Sequence, residues 1–315
     1  MVVQQLAYLV ALARERHFAR AAASCHVTQP TLSAGIRRLE EELGVLIVRR
    51  GYRFEGLTPE GERVLAWAQQ VIADHDGLLA EVRAMRSGLI GRLRIGAIPT
   101  SLSCVSLLTT PLCAGHPGVS VSVLSLSSSQ IERGLHAFEL DAGLTYLDSE
   151  PLTGVRTLPL YEERYLLLTA AGGPLAGRTS VTWLEAAEAP LCLLTGDMQN
   201  RRIVDAVFRS AGAEPAPTVE TNSITTLYAH VRDGRWSSVV AQAWLRLFGV
   251  PTGLVALPLV EPAARRSIGL VTLDRDPQPL LARALLDLAP SVDVQGLVDS
   301  AAPPLGQRAS RSRRV

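Results

Sequence analysis

Lysine is absent from this chain and cysteine is scarce, and both shortages are informative. All 31 basic residues are arginine, whose guanidinium forks suit phosphate and guanine. The four cysteines, Cys25, Cys104, Cys113 and Cys192, are too sparse for a disulfide scaffold, and no pair has zinc-ribbon spacing. A disulfide-stabilised secreted domain and a structural zinc site are therefore excluded, and a reducing cytoplasm is the expected location.

Long hydrophobic runs are also missing. Charged residues or proline break every apolar stretch before the roughly 20 residues that cross a bilayer, and no basic-then-apolar leader opens the sequence. We expect neither membrane insertion nor secretion. Because hydrophobic residues still make up 47% of the 315 residues, the chain has material for real cores, and its length predicts about two domains.

Positive charge is concentrated near the N-terminus, although the formal net charge is only +1. From Arg14 to Arg53 eight arginines face four glutamates, whereas from Phe54 to Gly88 three arginines face six acidic residues. The first fifty residues therefore carry a local basic patch that is suited to phosphate contacts.

Three short helices are predicted within this basic region. Apolar residues at helical spacing mark the first over Leu6–Arg14, and an alanine-rich stretch marks the second over Phe18–Cys25. Thr28 can cap a third helix, whose first turn tolerates Pro30 and which ends at Gly44. On this third helix one face is apolar and the other polar. The apolar positions are Leu32, Ile36, Leu39 and Leu43, and the opposite face holds Pro30, Ser33, Ala34, Arg37 and Glu41.

A β-hairpin tipped with arginine is predicted next, with strands over Val45–Val48 and Arg53–Leu57 flanking Arg49–Tyr52. Three helices followed by such a hairpin are typical of a winged helix-turn-helix, whose third helix enters the major groove of DNA while the wing reaches the backbone. The alternative is a small helical subdomain with a solvated arginine face.

A long helix is predicted over residues 59–88. Thr58 can cap it, and Pro59 fits its first position. Apolar positions then recur at alternating intervals of four and three, which is a heptad seam, and about 40 Å of helix would hold two heads apart in a dimer. The seam consists of Val64, Ala68, Val71, His75, Leu78, Val82 and Met85. His75 is either a pH switch or an ordinary histidine at a wet seam position.

Alternating strands and helices follow from Arg92 and predict a parallel sheet with helices on both faces. Strands are expected at Leu93–Ile98, Val119–Leu126 and Ala142–Tyr146, and later short strands and helices form a second lobe. An apolar strand near Ile268–Leu273 returns to the first sheet, which makes a hinged clamshell. We therefore divide the chain into a winged helix-turn-helix (1–58), a linker helix (59–88), a two-lobed domain (89–300) and a disordered arginine-rich tail (301–315).

Five runs in the N-terminal region carry a family resemblance, and they occur in the order Gln5–Leu9, Phe18–Ala22, Val27–Ser33, Ile36–Gly44 and Leu57–Gly61. Together they resemble the head of a LysR-type transcriptional regulator. The segment Gly91–Gly96 resembles the junction into that family's effector domain. The resemblance, which covers nearly the whole chain, implies an α/β protein: a mainly helical winged helix-turn-helix, a long linker helix, and a two-lobed periplasmic-binding-protein-like (type 2) effector domain.

The resemblance implies a cytoplasmic homodimer, usually assembled into a tetramer, that bends double-stranded promoter DNA and works with RNA polymerase. It also implies that the bend changes when a small molecule enters the cleft. It implies no catalytic residue, metal or cofactor. Ala34 and Ile47 depart from the family pattern, the first by removing one basic side chain. The positions that match DNA-binding ones are Thr28, Gln29, Pro30, Thr31, Ser33, Arg37, Arg49, Arg50 and Arg53. Loss of Arg37 should relax specificity, and loss of Arg50 should weaken binding evenly across sequences.

Effector-binding positions are expected where loops leave the carboxyl ends of strands and enter helix N-termini. Hydroxyls and helix ends suit a small anion, such as formate or another carboxylate, although each side chain can also be an ordinary helix cap. The candidates are Pro99, Thr100, Ser101, Ser127, Ser128, Ser129, Thr195, Gln199, Asn200, Asn222 and Ser223.

Three other functions compete with this interpretation. An enzyme is disfavoured because the sequence has no nucleophile elbow, zinc-protease motif, P-loop or dinucleotide fingerprint. A solute receptor for transport is disfavoured by the DNA-binding head. A regulator that senses redox state through cysteine remains open, although Cys192 is the one cysteine in the lobe where a sensor of the OxyR kind keeps its pair.

Overall fold

The computed structural model describes residues 2–50 and 54–300, without the side chain of Arg50. It divides into two compact units, one containing residues 2–90 and the other containing most of the chain from Gly91 onward. The predicted DNA contact by Arg53 and the predicted disorder of the tail 301–315 lie outside the described residues.

The first unit is a winged helix-turn-helix followed by a long helix, as the sequence predicts. Thr28 and Thr58 accept hydrogen bonds from the amides of Thr31 and Gly61, so both predicted caps form. The predicted first hairpin strand is too long, because only its last residue, Val48, is in a strand. The elements are α1 (Val3–Glu15), α2 (Phe18–Ser24), α3 (Gln29–Leu43), β1 (Val48–Arg50), β2 (Phe54–Leu57) and α4 (Pro59–Ser87).

The core of this unit is formed by the apolar faces of the three short helices. Leu32, Ile36 and Leu39 of α3 are fully buried, as predicted. Leu43, the fourth residue of the predicted stripe, is instead 41% exposed, because α3 ends one residue later at Gly44. Gly35 allows α1 to approach α3 closely, since a Cβ there would lie 2.6 Å from the Cδ2 atom of Tyr8.

A buried carboxylate ties the third helix to the start of the hairpin. Glu40 accepts hydrogen bonds from the backbone amides of Ile47 (2.9 Å) and Val48 (3.1 Å). Both amides would otherwise be buried without partners, which costs about 1–3 kcal/mol each. Glu40 therefore fixes the wing relative to α3.

The second unit contains a mixed eight-stranded sheet with the order β4-β3-β5-β12-β6-β11-β7, in which β10 also pairs with β6. The strands β3, β4 and β5 are parallel, as predicted, but β12 runs antiparallel to β5 and β6. The strands are β3 (Gly91–Ala97), β4 (Val119–Ser125), β5 (Ala142–Tyr146), β6 (Val155–Ala170), β7 (Val181–Thr182), β8 (Cys192–Leu194), β9 (Val219–Thr221), β10 (Ser238–Ala241), β11 (Leu254–Val260) and β12 (Arg265–Leu273).

One long strand, β6, connects the two lobes. Its residues from Val155 to Arg164 pair with β12 in the first lobe, and those from Tyr165 onward pair with β10 and β11 in the second. The chain crosses back between β11 and β12. The first half of β6 is not evident from the sequence, because Pro159 and four charged residues interrupt its apolar pattern.

Helices flank these strands and place loops at the edge where the lobes meet. No described helix has the length and apolar character needed to cross a membrane. The helices of the second unit are α5 (Leu102–Gly115), α6 (Ser128–His136), α7 (Trp183–Ala187), α8 (Gln199–Ser210), α9 (Ile224–Arg232), α10 (Leu245–Phe248), α11 (Leu280–Leu288) and α12 (Val294–Asp299). Short 3-10 turns precede α5 and α10 and follow α11.

Candidate functional site

The predicted DNA-binding residues of α3 share one solvent-facing surface. Thr28, Gln29, Pro30 and Thr31 at its start are exposed, as is Arg37 two turns later. Ser33, between them, is half-buried. Because the opposite face is anchored in the core, α3 presents hydroxyl, amide and guanidinium groups to the outside, and these groups recognise base edges and phosphates.

Two arginines on this side of the first unit have unoccupied donors. Arg37 on α3 and Arg49 on β1 are exposed, and neither forms a hydrogen bond or ion pair with any residue that the structure describes. Arg20, by contrast, donates to the carbonyl of Glu15. The free guanidinium groups are available for an external anion such as a phosphate.

The long helix α4 changes character along its length. Val64, Leu65 and Ala68 in its first half pack against the core of the first unit. Further along, the seam residues Leu78 (61% exposed), Val82 (44%) and Met85 (80%) form an apolar stripe on the surface. His75 is exposed in the single chain, and its Nδ1 atom lies 3.2 Å from Asp76 Oδ1.

A small pocket in the second unit lies where the loops after β3, β4 and β8 converge. Its empty space, including the open mouth, is about 250 Å³. Six predicted effector residues line it: Pro99, Thr100, Ser127, Ser128, Gln199 and Asn200. The structure therefore brings together residues from both lobes, as the sequence predicts for a cleft.

A second pocket adjoins the first, and Pro99 lines both. Its empty space is about 730 Å³. The predicted residues Asn222 and Ser223 lie here. The other lining residues are mostly apolar: Leu102, Ile224, Trp244, Leu247 and Phe248, with Ser103, Ser125 and Thr225.

Three predicted effector residues do not line either pocket. The hydroxyl of Ser101 is buried and donates to the carbonyl of Ile98 (3.2 Å). Ser129 is exposed, and its hydroxyl lies 3.2 Å from that of Ser127. The Thr195 hydroxyl is buried without a hydrogen-bond partner among the described residues. Ser101 and Ser129 thus satisfy local structure at the starts of α5 and α6.

The structure adds two residues that sequence reasoning missed, Tyr146 and Glu163. The Tyr146 hydroxyl donates to Glu163 Oε1 (2.8 Å) and accepts from Asn200 Nδ2 (2.9 Å). Glu163 lies on β6, one residue before the strand changes lobes. Its alternation with exposed Glu162 on a strand was the only available signal. Tyr146 thus connects a lobe-crossing strand to α8 of the second lobe.

Burial dominates the electrostatics of this cluster. Glu163 is completely buried, which raises its pKa from 4.5 to about 7, although the hydrogen bond from Tyr146 opposes the shift. Its Oε2 atom has no hydrogen-bond partner among the described residues. The pKa of Tyr146 is raised by burial and by the charge of Glu163, so its hydroxyl keeps its proton and remains a donor.

A second bridge closes the cleft from the other side, because the Ser128 hydroxyl donates to Gln199 Oε1. Ser128 begins α6 in the first lobe, and Gln199 begins α8 in the second. At the pocket the lobes are thus joined by neutral hydrogen bonds, and outside it an ion pair between Arg202 of α8 and Glu150 also joins them.

No charged residue lines either pocket. The nearest arginines in sequence point elsewhere: Arg201 pairs with Asp205 (2.7 Å) and Glu220, and Arg202 pairs with Glu150. The carboxylate effector that the sequence predicts would therefore find no arginine partner among the pocket-lining residues.

Two of the four cysteines are buried thiols. Burial raises the pKa of Cys192 to about 11 and raises that of Cys104 as well. Because the thiolate is the reactive form, neither has the low pKa that redox-active cysteines need.

Two family models match the chain. Residues 3–62 match "Bacterial regulatory helix-turn-helix protein, lysR family", and residues 86–292 match "LysR substrate binding domain". Together the two matches cover most of the chain.

Curated relatives and solved structures span nearly the same length. The DNA-binding transcriptional dual regulator OxyR of Escherichia coli is 31% identical over 284 residues, covering 90% of this chain and 92% of the relative. A full-length OxyR variant from Pseudomonas aeruginosa superposes with a TM-score of 0.76 at 29% identity, covering 94% and 97%. CbnR complexed with its target DNA has the same fold, with a TM-score of 0.63 at 21% identity over 96% and 100%.

Proposed function

Because the chain belongs to the LysR family of DNA-binding transcriptional regulators, and is not an enzyme, we propose that it binds promoter DNA through α3 and the hairpin as a dimer or a pair of dimers. A small molecule in the cleft of the second unit controls this binding. The single observation that carries the proposal is the exposed polar face of α3 with its unpartnered Arg37.

The DNA contacts divide by chemistry. Gln29, Thr31, Ser33 and Arg37 read base edges, because they project from the helix face that a major groove accepts. The start of α3 at Thr28 and Pro30, together with the wing arginines Arg49, Arg50 and Arg53, contacts phosphates and fixes the register.

Dimerisation is supported by the apolar stripe at Leu78, Val82 and Met85. Exposed side chains of this size at heptad spacing are stabilised when a second copy covers them. Two paired helices would deliver two heads to half-sites that face the same side of the duplex. A regulator of this kind works in the cytoplasm and acts on transcription through RNA polymerase, and both are part of the proposal.

Control by a small organic molecule is supported by the two adjoining pockets. Residues of both lobes line the first pocket, so a ligand there contacts both at once and favours one relative position of the lobes. Thr100, Ser128, Gln199 and Asn200 supply its polar contacts. Asn222 and Ser223 border the second pocket.

Redox sensing is the second candidate, since relatives that include the one in Mycobacterium avium are named hydrogen peroxide-inducible genes activators. Two of the four thiols argue against it, because Cys104 and Cys192 are buried with raised pKa values. Hydrogen peroxide should leave the promoter footprint unchanged. A footprint that peroxide alters, and that Cys192→Ser makes insensitive to peroxide, would instead establish the redox function.

The experiment that tests the proposed function is a footprint of the full-length protein on the DNA upstream of its own gene. We expect two protected half-sites about 34 Å apart, or a multiple of that distance, on one face of the duplex. A uniform, sequence-independent protection pattern, or none at low ionic strength, would contradict it.

A further inference from the structure

We propose that the cleft selects an uncharged organic ligand, with an amide or hydroxyl head and an apolar body, and that the buried carboxyl of Glu163 behind Tyr146 excludes carboxylates. This inference rests on the proposed function of the cleft and names its ligand class. Glu163 acts as a specificity-determining residue through Tyr146 rather than by touching the ligand.

The first pocket is lined by uncharged side chains, some of which form hydrogen bonds while others, such as Ile98, Leu194 and Met198, are apolar. Thr100 and Ser128 contribute hydroxyls, and Gln199 and Asn200 contribute amides, while no arginine or acidic side chain reaches the lining. An uncharged amide or hydroxyl exchanges hydrogen bonds with such groups at little cost. A carboxylate loses its water shell and receives no countercharge from a side chain.

Glu163 adds a negative charge close behind this lining. Its Oε1 atom lies 2.8 Å from the Tyr146 hydroxyl, which in turn lines the pocket and lies 2.9 Å from Asn200 Nδ2. A ligand atom in contact with Tyr146 is therefore one side chain away from the carboxyl group. Since Glu163 is fully buried, solvent does not screen the repulsion between it and an anion.

The groups around Glu163 do not neutralise it. Tyr146 faces it from β5, Tyr161 and Tyr165 lie with it on β6, and Cys104 of α5 lies beside Tyr161. Asp148, just after β5, is a second negative charge that disfavours ionisation of Glu163. Two arginines influence other members of the cluster instead: Arg266 of β12 acts on Tyr165, and Arg246 of α10 acts on Cys104.

The neighbouring pocket accounts for the apolar body of the ligand. Leu102, Ile224 and Trp244 form its wall, and it continues from the polar pocket at Pro99. Leu247, at its rim, is 65% exposed. A ligand with its polar head at Asn200 would cover these side chains with an aromatic or aliphatic group, which is the favourable direction of the hydrophobic effect.

Three probes of nearly equal shape separate charge from size: benzamide, benzoate and benzamidinium. Their dissociation constants are measured by calorimetry on the full-length protein at pH 8, where Glu163 is mostly ionised. We expect benzamide to bind at least about tenfold more tightly than benzoate, since a tenfold ratio needs only about 1.4 kcal/mol. Benzamidinium should also bind less tightly than benzamide, because its charged head group loses its water shell and no side chain that lines the pocket carries a countercharge.

Two matched variants test whether Glu163 causes the preference for benzamide over benzoate. Glu163→Gln keeps an acceptor for the Tyr146 hydroxyl and should strengthen benzoate binding about tenfold while changing benzamide binding less than about twofold. Glu162→Gln, the same change on the exposed neighbour, should alter neither constant. Thermal unfolding of each variant establishes that it is folded.

The contrary results are distinct from one another. Benzoate or benzamidinium binding more tightly than benzamide to the wild type would overturn the selection of an uncharged ligand. An equal increase in benzoate affinity in Glu163→Gln and Glu162→Gln would show that Glu163 does not determine the selection. No binding of any probe at 10 mM, while the same protein sample still binds its upstream DNA, would overturn this assignment and leave the proposed regulator function intact.

Discussion

Each unit of this protein contains one fully or nearly fully buried glutamate, and the two have opposite surroundings. In the DNA-binding head, Glu40 is 7% exposed and accepts two backbone hydrogen bonds from the wing. In the cleft, Glu163 is 0% exposed, receives one hydrogen bond from Tyr146, and has a second oxygen without a partner among the described residues.

The difference in hydrogen bonding indicates that Glu40 has a structural role and that Glu163 has a role in ligand recognition. A carboxylate that accepts hydrogen bonds from buried amides has a structural role, and its loss should lower the free energy of unfolding. A buried carboxylate with one unpaired oxygen beside a pocket destabilises the folded protein. Such a residue is typical of a functional site, where it contributes to recognition rather than to stability. In the head, the recognising charges are on the surface instead, at Arg37 and Arg49.

The largest expected effect is the loss of stability when Glu40 is removed. Glu40→Ala leaves the amides of Ile47 and Val48 buried without an acceptor, so the free energy of unfolding should fall by about 4 kcal/mol. Urea denaturation measures it. Glu41→Ala, the exposed neighbour on α3, is the control and should change stability by less than about 0.5 kcal/mol. An equal loss of stability in Glu40→Ala and Glu41→Ala would contradict the structural role of Glu40.

Glu163→Gln should stabilise the protein in a pH-dependent way. The unfolded chain ionises this carboxyl near pH 4.5, whereas the folded protein holds the proton to about pH 7. Folding therefore takes up a proton between these values, and the contribution of Glu163 to stability falls as pH rises, then levels off above pH 7. The gain of the variant over wild type should grow from near zero at pH 4.5 to about 3 kcal/mol at pH 8.

Denaturation curves of wild type and variant at several pH values measure this gain. Glu162→Gln should show no such trend. A difference between Glu163→Gln and wild type that stays constant across pH would mean that Glu163 titrates normally.

The apolar stripe of α4 should control assembly. Leu78→Ala removes part of the surface that a second copy covers, so the free energy of dimerisation should weaken by about 2 kcal/mol for each protomer changed. Sedimentation at several concentrations measures the dissociation constant. Leu79→Ala, on the adjacent face of the same helix, should weaken dimerisation much less. An equal effect of the two changes would mean that the dimer interface does not follow the predicted seam.

The smallest expected effect concerns the wing. Arg49→Ala removes one phosphate contact, so promoter affinity should fall evenly across sequences. The slope of log affinity against log salt concentration should become shallower by about 0.9. Fluorescence anisotropy at four salt concentrations measures the slope. A slope identical to that of the wild type would mean that Arg49 does not touch DNA.

The head was predictable because its information is local. The caps at Thr28 and Thr58 and the apolar stripe of α3 up to Leu39 are spacing patterns within one element, and the structure reproduces them. The seam of α4 is a pattern of the same kind and stays a prediction. The error at Leu43 is of the same local kind, since a helix end exposes its last turn.

The cleft was predictable only in part, because its members come from distant strands. Loop hydroxyls after β3 and β4 were found from the rule that ligands bind at carboxyl ends of strands. Tyr146 and Glu163 were not found, because nothing in sequence shows that residues 17 positions apart meet, or that Glu163 points inward while Glu162 does not. For the same reason, the sequence predicts a carboxylate ligand from loop hydroxyls and helix ends alone, because it does not show which charges surround the cleft.

The central claim is that the exposed face of α3 reads DNA sequence, and one measurement tests it most directly. The affinity for the upstream DNA is divided by the affinity for a scrambled duplex at the same salt concentration, for wild type, Arg37→Ala and Arg38→Ala. The account predicts that Arg37→Ala lowers this ratio at least about tenfold, since a bidentate base contact is worth about 1–3 kcal/mol. Arg38→Ala, one position along α3, should preserve it. An unchanged ratio in Arg37→Ala would contradict the claim.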